Sequence, residues 1–354
     1  MFNKNFKKNM TRVAAGLLSA GMLLGSSLTA NANGLYISEL TGLPISTTIQ
    51  NQRPIAVMVD NEKTALQHYG TAEADIVYEM VNSTKNNRIT RLMCIYKDYN
   101  AVPRIGSIRS IRPTNVILAG EYNAVCVHDG GPFYINDWLK KSWSTNLSGG
   151  FARINNGKRR EFTEYVTTGE VTKRMNKAKY SINYTNDYLT QVKERETHFL
   201  FNETETLLST AYNNVGVSAV GVVDLSQVFP HNSSKLVWNA QTLTYDYYEY
   251  GAAHIDGEDK QVMSFKNVIL QEADLSQLDQ NGYMIYNVIG TKVSTGATGY
   301  YITDGQVIPI TWAKASETAY THFYDYLGNE IKLNRGKTYI GIIPSDTWDK
   351  VVFK

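Results

Sequence analysis

Ile55-Ala56-Val57-Met58-Val59, closed by Asp60-Asn61, is the stretch on which the fold turns. It is apolar without a break, shorter than an ordinary helix, and shows none of the polar alternation of a half-exposed strand. It therefore reads as a strand buried on both faces. Residues 76–80 and 92–96 repeat the pattern, and a fourth run covers residues 124–127. Before the fourth, Pro113 opens a helical pattern that puts Val116, Ile117 and Tyr122 on one face, proline being suited to a first helical position. A second helix is predicted over residues 168–179, with threonine at its start and Lys173, Arg174 and Lys177 toward its end, the polarity a helix dipole favours. Short buried strands interleaved with helices predict an N-terminal α/β domain on a mainly parallel sheet. Residues 144–160, rich in Ser, Gly, Asn and basic side chains, read as a long loop.

From about Val215 the texture changes to β-branched and aromatic residues punctuated by turns, with Asp304-Gly305 the best hairpin signal and further turns at Asp256-Gly257, Gly328-Asn329 and Arg335-Gly336. That pattern predicts a C-terminal all-β domain, a sandwich or barrel-like fold, and makes the chain α+β overall. The expected organisation is a signal peptide over residues 1–32, an α/β domain over 33–210 and a β domain over 211–354.

The signal peptide follows from Lys4, Lys7, Lys8 and Arg12 ahead of an apolar run over residues 13–28, with Ala30-Asn31-Ala32 as the cleavage site. Its removal takes away four basic and no acidic side chains, so a formal charge of +2 less four becomes −2. No later stretch is apolar and long enough to span a bilayer. Only Cys94 and Cys126 occur, both in apolar runs, as two buried thiols or one bridge. With no cysteine near the cleavage site, the expected product is secreted or wall-associated and not lipid-anchored. A slightly acidic exported chain with no recognisable binding module excludes nucleic acid as a partner.

Five signatures, Arg53-Pro54-Ile55-Ala56-Val57-Met58-Val59-Asp60-Asn61, Glu73-Ala74-Asp75-Ile76-Val77-Tyr78-Glu79, Ile89-Thr90-Arg91, Arg109-Ser110-Ile111-Arg112-Pro113 and His128-Asp129-Gly130-Gly131, resemble the N-terminal part of the YerB-like family. Gly251-Ala252-Ala253-His254-Ile255-Asp256 and Leu333-Asn334-Arg335-Gly336-Lys337-Thr338-Tyr339-Ile340 resemble its C-terminal part. The resemblance implies an extracytoplasmic envelope role and brings no established reaction. The chain departs from the family's pattern in three places. It has no lipobox cysteine, it carries Asn86-Asn87-Arg88 where an acidic-Gly-Gly stretch is usual, and it lacks a Pro-His-Asn stretch before Tyr165.

Two groups of residues carry candidate chemistry. Asp60, Glu79, His128 and Asp129 follow or end apolar runs, where ligands collect in open α/β sheets. They are candidate catalytic or metal-binding residues, or else loop and strand-end groups satisfying the backbone. Arg104, Ser107, Arg109, Ser110 and Arg112 cluster before the helix at Pro113, with Arg91 on a nearby strand. Guanidinium forks, serine hydroxyls and a helix N-terminus together suit phosphate or carboxylate. The alternative is that these arginines pair with Asp75, Glu79 or Glu121. Lys158-Arg159-Arg160 reads as a solvated loop, and the tyrosines of residues 245–250 as sheet packing in preference to a glycan platform. No spacing identifies a cofactor or a metal site. The leading expectation is a non-catalytic protein that binds an anionic wall polymer or a wall enzyme. The rivals are a hydrolase or transferase acting on wall glycans or phosphodiesters, and a structural envelope component.

Overall fold

The computed structural model describes residues 35–186, 188, 198–290 and 297–354; the expected signal peptide lies outside them. In the first half run β1 (Ile55–Asp60), β2 (Ile76–Val81), β3 (Thr90–Tyr96), α1 (Pro113–Gly120), β4 (Val125–His128), β5 (Thr145–Ser148) and α2 (Glu170–Ala178). The second half contributes β6 (Val222–Asp224), β7 (Lys235–Asn239), β8 (Thr244–Glu249), β9 (Asn267–Ala273), β10 (Thr298–Thr303), β11 (Gln306–Lys314) and β12 (Thr338–Pro344). Every residue of β1, β2 and β3 is buried, as the unbroken apolar runs predict.

One large sheet holds the strands in the order β11-β10-β9-β12-β2-β3-β1-β4-β5. The first-half portion is mixed, which corrects the expectation of a mainly parallel sheet. β2, β3 and β1 are successively antiparallel, whereas β1, β4 and β5 are parallel. Connection length explains it. Only residues 82–89 separate β2 from β3, fewer than the dozen or so that a parallel crossover needs, whereas α1 lies in the long connection from β1 to β4. Part of the predicted loop at 144–160 is also ordered as the edge strand β5 and as Ala152–Arg153, which pairs with Glu164-Tyr165.

The second half is built of strands, but it forms neither a sandwich of its own nor a closed barrel among the described residues. β12 pairs in parallel with β2, Val77 opposite Tyr339, so the sheet crosses from one half into the other. β6, β7 and β8 belong to a second, antiparallel sheet that packs on the large one. Tyr339 of β12 meets Tyr247 and Phe265 at ring-centroid distances of 6.0 and 5.6 Å. The opposite face is covered by α1: the Tyr78 and Tyr122 hydroxyls lie 2.7 Å apart, and Asn115 donates to the Met80 sulfur at 3.6 Å. The layers are thus helix, large sheet and small sheet, enclosing one hydrophobic cluster that draws on both halves.

Asp304-Gly305 makes the predicted hairpin between β10 and β11 with both residues at positive φ, 51° and 71°. Cys94 and Cys126 are free and buried. In the register of β1 they align with Val57 and Ala56 respectively, so they project from opposite faces of the sheet. Tyr245 and Tyr247 are buried sheet residues, as the packing reading expects.

Candidate anion site

The segment after Arg104–Gly106 threads between the carboxyl ends of β1 and β4. Asp60 N–H donates to the Ser107 carbonyl at 3.0 Å and Arg109 N–H to the Met58 carbonyl at 2.8 Å. On the other side, Asp129 N–H donates to the Arg109 carbonyl at 3.0 Å and Ile111 N–H to the Gly130 carbonyl at 3.2 Å. Close approach here needs glycine. A Cβ on Gly131 would meet the Ile135 side chain at 2.9 Å, and Gly130 sits at φ +69°.

This path brings three of the predicted arginines together. Asp60 and Arg91 are directly opposite in the β1–β3 register, on the face that α1 covers. Arg109 Nε lies 2.6 Å from Asp60 Oδ2, and Arg91 Nη2 lies 3.9 Å from the same oxygen, at the outer edge of an ion pair. Arg91 Nη1 donates to the Ser110 carbonyl at 2.8 Å. Arg112 Nη1 donates to the Ile111 carbonyl at 3.0 Å, and its guanidinium lies 3.8 Å from the Tyr283 ring centroid. Tyr283 comes from the second half of the chain. So does Asp279, which accepts from the Tyr134 hydroxyl at 3.2 Å and from Asn281 N–H at 2.9 Å.

The charges in this space do not balance. Arg91 and Arg112 are each only 6% exposed, and neither Nε makes a hydrogen bond to any described residue. Burial, with Arg112 and Arg109 nearby, pushes the Arg91 guanidinium down to about 9 against the pull of Asp60. Arg112 is lowered too, chiefly by burial. Two of the three guanidinium groups, Arg91 and Arg109, contact one carboxylate, Asp60, which also accepts from Glu62 N–H at 2.6 Å, and the carboxylate that acts on Arg112 is Asp279. Desolvating an ion costs several kcal/mol unless a partner offsets it.

The other predicted residues fall elsewhere. Arg104 pairs with Glu258 at 3.0 Å and stacks 3.6 Å from the Tyr69 ring centroid. Ser107 is fully buried, and Ser110 Oγ donates to the Asp129 carbonyl at 2.8 Å. At the start of α1, the Asn115 and Val116 N–H groups both turn back to the Arg112 carbonyl, at 3.0 and 3.3 Å. The helix terminus therefore offers fewer free donors than the sequence suggests. No described ion pair joins these arginines to Asp75, Glu79 or Glu121; Asp60 is the acid that sequence reading did not assign to them.

The four acid–base candidates do not converge. Glu79 is opposite Leu92, one residue out of step with Met80 and Arg91, and so projects from the other face of the sheet. There it accepts from Thr90, Ser234 and Tyr339 at 2.8, 2.7 and 2.7 Å, and burial raises it to about 6. His128 is buried, with Nδ1 donating to the Gly130 carbonyl at 2.8 Å and Nε2 3.3 Å from Asn146 Oδ1. Asp129 pairs with Arg153 at 3.2 Å, and the same guanidinium holds Glu164. One acidic group that sequence reading missed, Glu73 with Asp256 and Asp259, brings three carboxylates within 4.8 Å of one another.

Comparison with known proteins gives one consistent answer. Residues 40–181 match the N-terminal domain, and residues 224–340 the C-terminal domain, of a family described as protein of unknown function DUF3048. The chain is 24% identical over 326 residues to YerB of Bacillus subtilis (strain 168), covering 89% of this chain and 86% of the relative. The crystal structure of YerB from Bacillus subtilis superposes with a TM-score of 0.72 at 20% identity, over 90% of this chain and 99% of that one, which establishes the shared fold. The same relative corrects an expectation. YerB is named as a candidate lipoprotein, a class held at a membrane by lipid. The expectation of a released chain that is not lipid-anchored is withdrawn on that finding. No described helix is long and apolar enough to cross a membrane.

Proposed function

The chain belongs to the DUF3048 family, and from that premise we propose that it is a non-catalytic binding protein of the cell envelope whose Arg91–Arg109–Arg112 cluster holds an anionic group. The group belongs to an envelope polymer or to a partner enzyme. One observation carries the reading: two guanidinium groups more than nine-tenths buried, with their Nε atoms unbonded to any described residue and no ion pair closer than 3.9 Å among the described residues, where Asp60 is already engaged by Arg109 and Asp279 by the Tyr134 hydroxyl. A phosphate or carboxylate would accept from those donors in the forked geometry that guanidinium provides. The hydrolase or transferase reading draws no comparable support, because His128 is engaged at both ring nitrogens and Glu79 lies on the opposite face.

Arg112→Ala provides the test. Affinity per folded molecule for an anionic envelope polymer is expected to fall about 10- to 150-fold, the worth of one charge-assisted contact of ~1.5–3 kcal/mol. Arg112→Lys is expected to recover part of it, since an ammonium lacks the planar fork. The melting temperature should hold or rise, because an uncompensated buried charge is removed. Unchanged affinity with early melting would make Arg112 a structural residue.

A further inference from the structure

Phe133 is 85% exposed, the most exposed of the large hydrophobic side chains among the described residues. A chain of contacts links it to the arginine cluster. Its ring meets the edge of Tyr134 at a centroid distance of 5.3 Å, and Tyr134 reaches Asp279 beside the stacked Arg112–Tyr283 pair. Its position is not a loose accident of the loop. The preceding Gly130 carbonyl accepts from Ile111 N–H at 3.2 Å, and Ile135 N–H closes onto the Pro132 carbonyl at 2.9 Å.

We infer that the anionic group taken by the arginine cluster is carried on a sugar ring that lies against Phe133, an inference that rests on the anion-site reading above. An exposed aromatic face offers a flat apolar surface, which suits the C–H face of a pyranose. The groups that link it to Arg112 recognise hydroxyls: the Tyr134 ring meets Phe133, and its phenol donates to the Asp279 carboxylate, whose charge acts on Arg112. Asp279 also sets the charge of the ligand. A second anionic group placed there would be repelled, whereas a sugar hydroxyl would donate to it. The site thus favours one negative charge deep among the arginines and a neutral, hydroxyl-bearing ring outside. An acyl chain would find a phenol and a carboxylate next to Phe133.

Calorimetric titration of the full chain with inorganic phosphate, glucose 1-phosphate, glucuronate and glucose tests this, on the wild type, Phe133→Ala and Phe133→Trp. The wild type is expected to bind glucose 1-phosphate or glucuronate about 3- to 10-fold more tightly than inorganic phosphate, and glucose not measurably. The stronger of the two sugar anions identifies the group as phosphate or carboxylate. Phe133→Ala should erase the sugar increment and leave inorganic phosphate unchanged, and Phe133→Trp should restore it. The side chain is exposed, so loss of folding does not confuse the result. Equal affinity for phosphate and sugar anions, unaffected by Phe133→Ala, would overturn the sugar inference and leave the anion site standing. No affinity of the wild type for any anion would overturn both. Loss of binding to anionic phospholipid vesicles in Phe133→Ala, with sugar anions unaffected, would make Phe133 a membrane contact and overturn the inference.

Discussion

Two buried ionic clusters lie on the α1 side of the molecule, and they are built in opposite ways. At the carboxyl end of α1, Glu121 is fully buried and receives Lys314 at 3.0 Å, His198 at 2.8 Å, and the Thr321 N–H and hydroxyl at 2.9 and 2.8 Å. Its acceptors are filled and its charge is matched. Although burial alone would raise it, Lys314 and His198 hold the carboxyl down to about 2. At the other end of the helix, Arg91 and Arg109 share Asp60, Arg112 lies against Tyr283, and the Nε atoms of Arg91 and Arg112 are unbonded to described residues. The same protein therefore shows a closed ionic lock that ties α1 to β11 and an open one. The difference separates a group that holds the halves together from one that is completed by a ligand.

The closed lock should be the costlier to break. Lys314→Met leaves Glu121 buried without its strongest cation and is expected to lower the unfolding free energy by about 3–5 kcal/mol, read from urea midpoints. The pH dependence follows from the lowered carboxyl. The stability it contributes is full above the unfolded value of about 4.5 and is lost as pH falls from there toward about 2. In Lys314→Met that acid limb should flatten. A variant as stable as the wild type would mean that the two clusters do not differ in kind.

The open lock should respond to added anion. Asp60→Asn removes the carboxylate that Arg109 and Arg91 share, and is expected to cost about 1.5–3 kcal/mol, with millimolar phosphate restoring part of the loss. Lys314→Met should show no rescue beyond that of the wild type. Equal rescue of both variants would point to a general salt effect. The smallest effect is expected from Arg104→Ala. That residue belongs to the predicted basic segment but is paired with Glu258 near the surface, so stability should move by no more than about 1 kcal/mol and phosphate affinity not at all.

How far the sequence foretold this division depends on the range of the contacts. The unbroken apolar runs mark β1, β2 and β3 to within two residues, and Pro113 marks the start of α1, because both signals are local. Arg91, Arg109 and Arg112 were recognisable as a group from their residue type and their place before a helix. Their acid was not, since Asp60 reads as a catalytic or metal-binding candidate, or a loop residue satisfying the backbone, until the β1–β3 register sets it opposite Arg91. Tyr283 and Asp279 were beyond sequence reading altogether. They reach the site only because the large sheet continues through β12 into the second half, and the segment between Leu275–Gln277 and Met284–Tyr286 carries them to it. Composition likewise indicated an all-β second half but not that β9, β10, β11 and β12 extend the first half's sheet. Strand pairing between distant segments leaves no mark in local periodicity. Asn86 and Asn87 are a smaller case. They adopt positive φ, 52° and 54°, as does Arg88 at 59°, over the three residues where the family resemblance implies an acidic-Gly-Gly stretch; asparagine tolerates that conformation better than most residues.

Crystals of the full chain soaked in selenate would test the contrast most directly, since the anomalous signal places the anion without reference to any assumed binding mode. The account predicts a selenate within hydrogen-bonding distance of both Arg91 and Arg112, and none at Glu121 and Lys314. An arginine cluster free of selenate, with the Arg91 and Arg112 Nε atoms bonded to ordered waters alone, would contradict it.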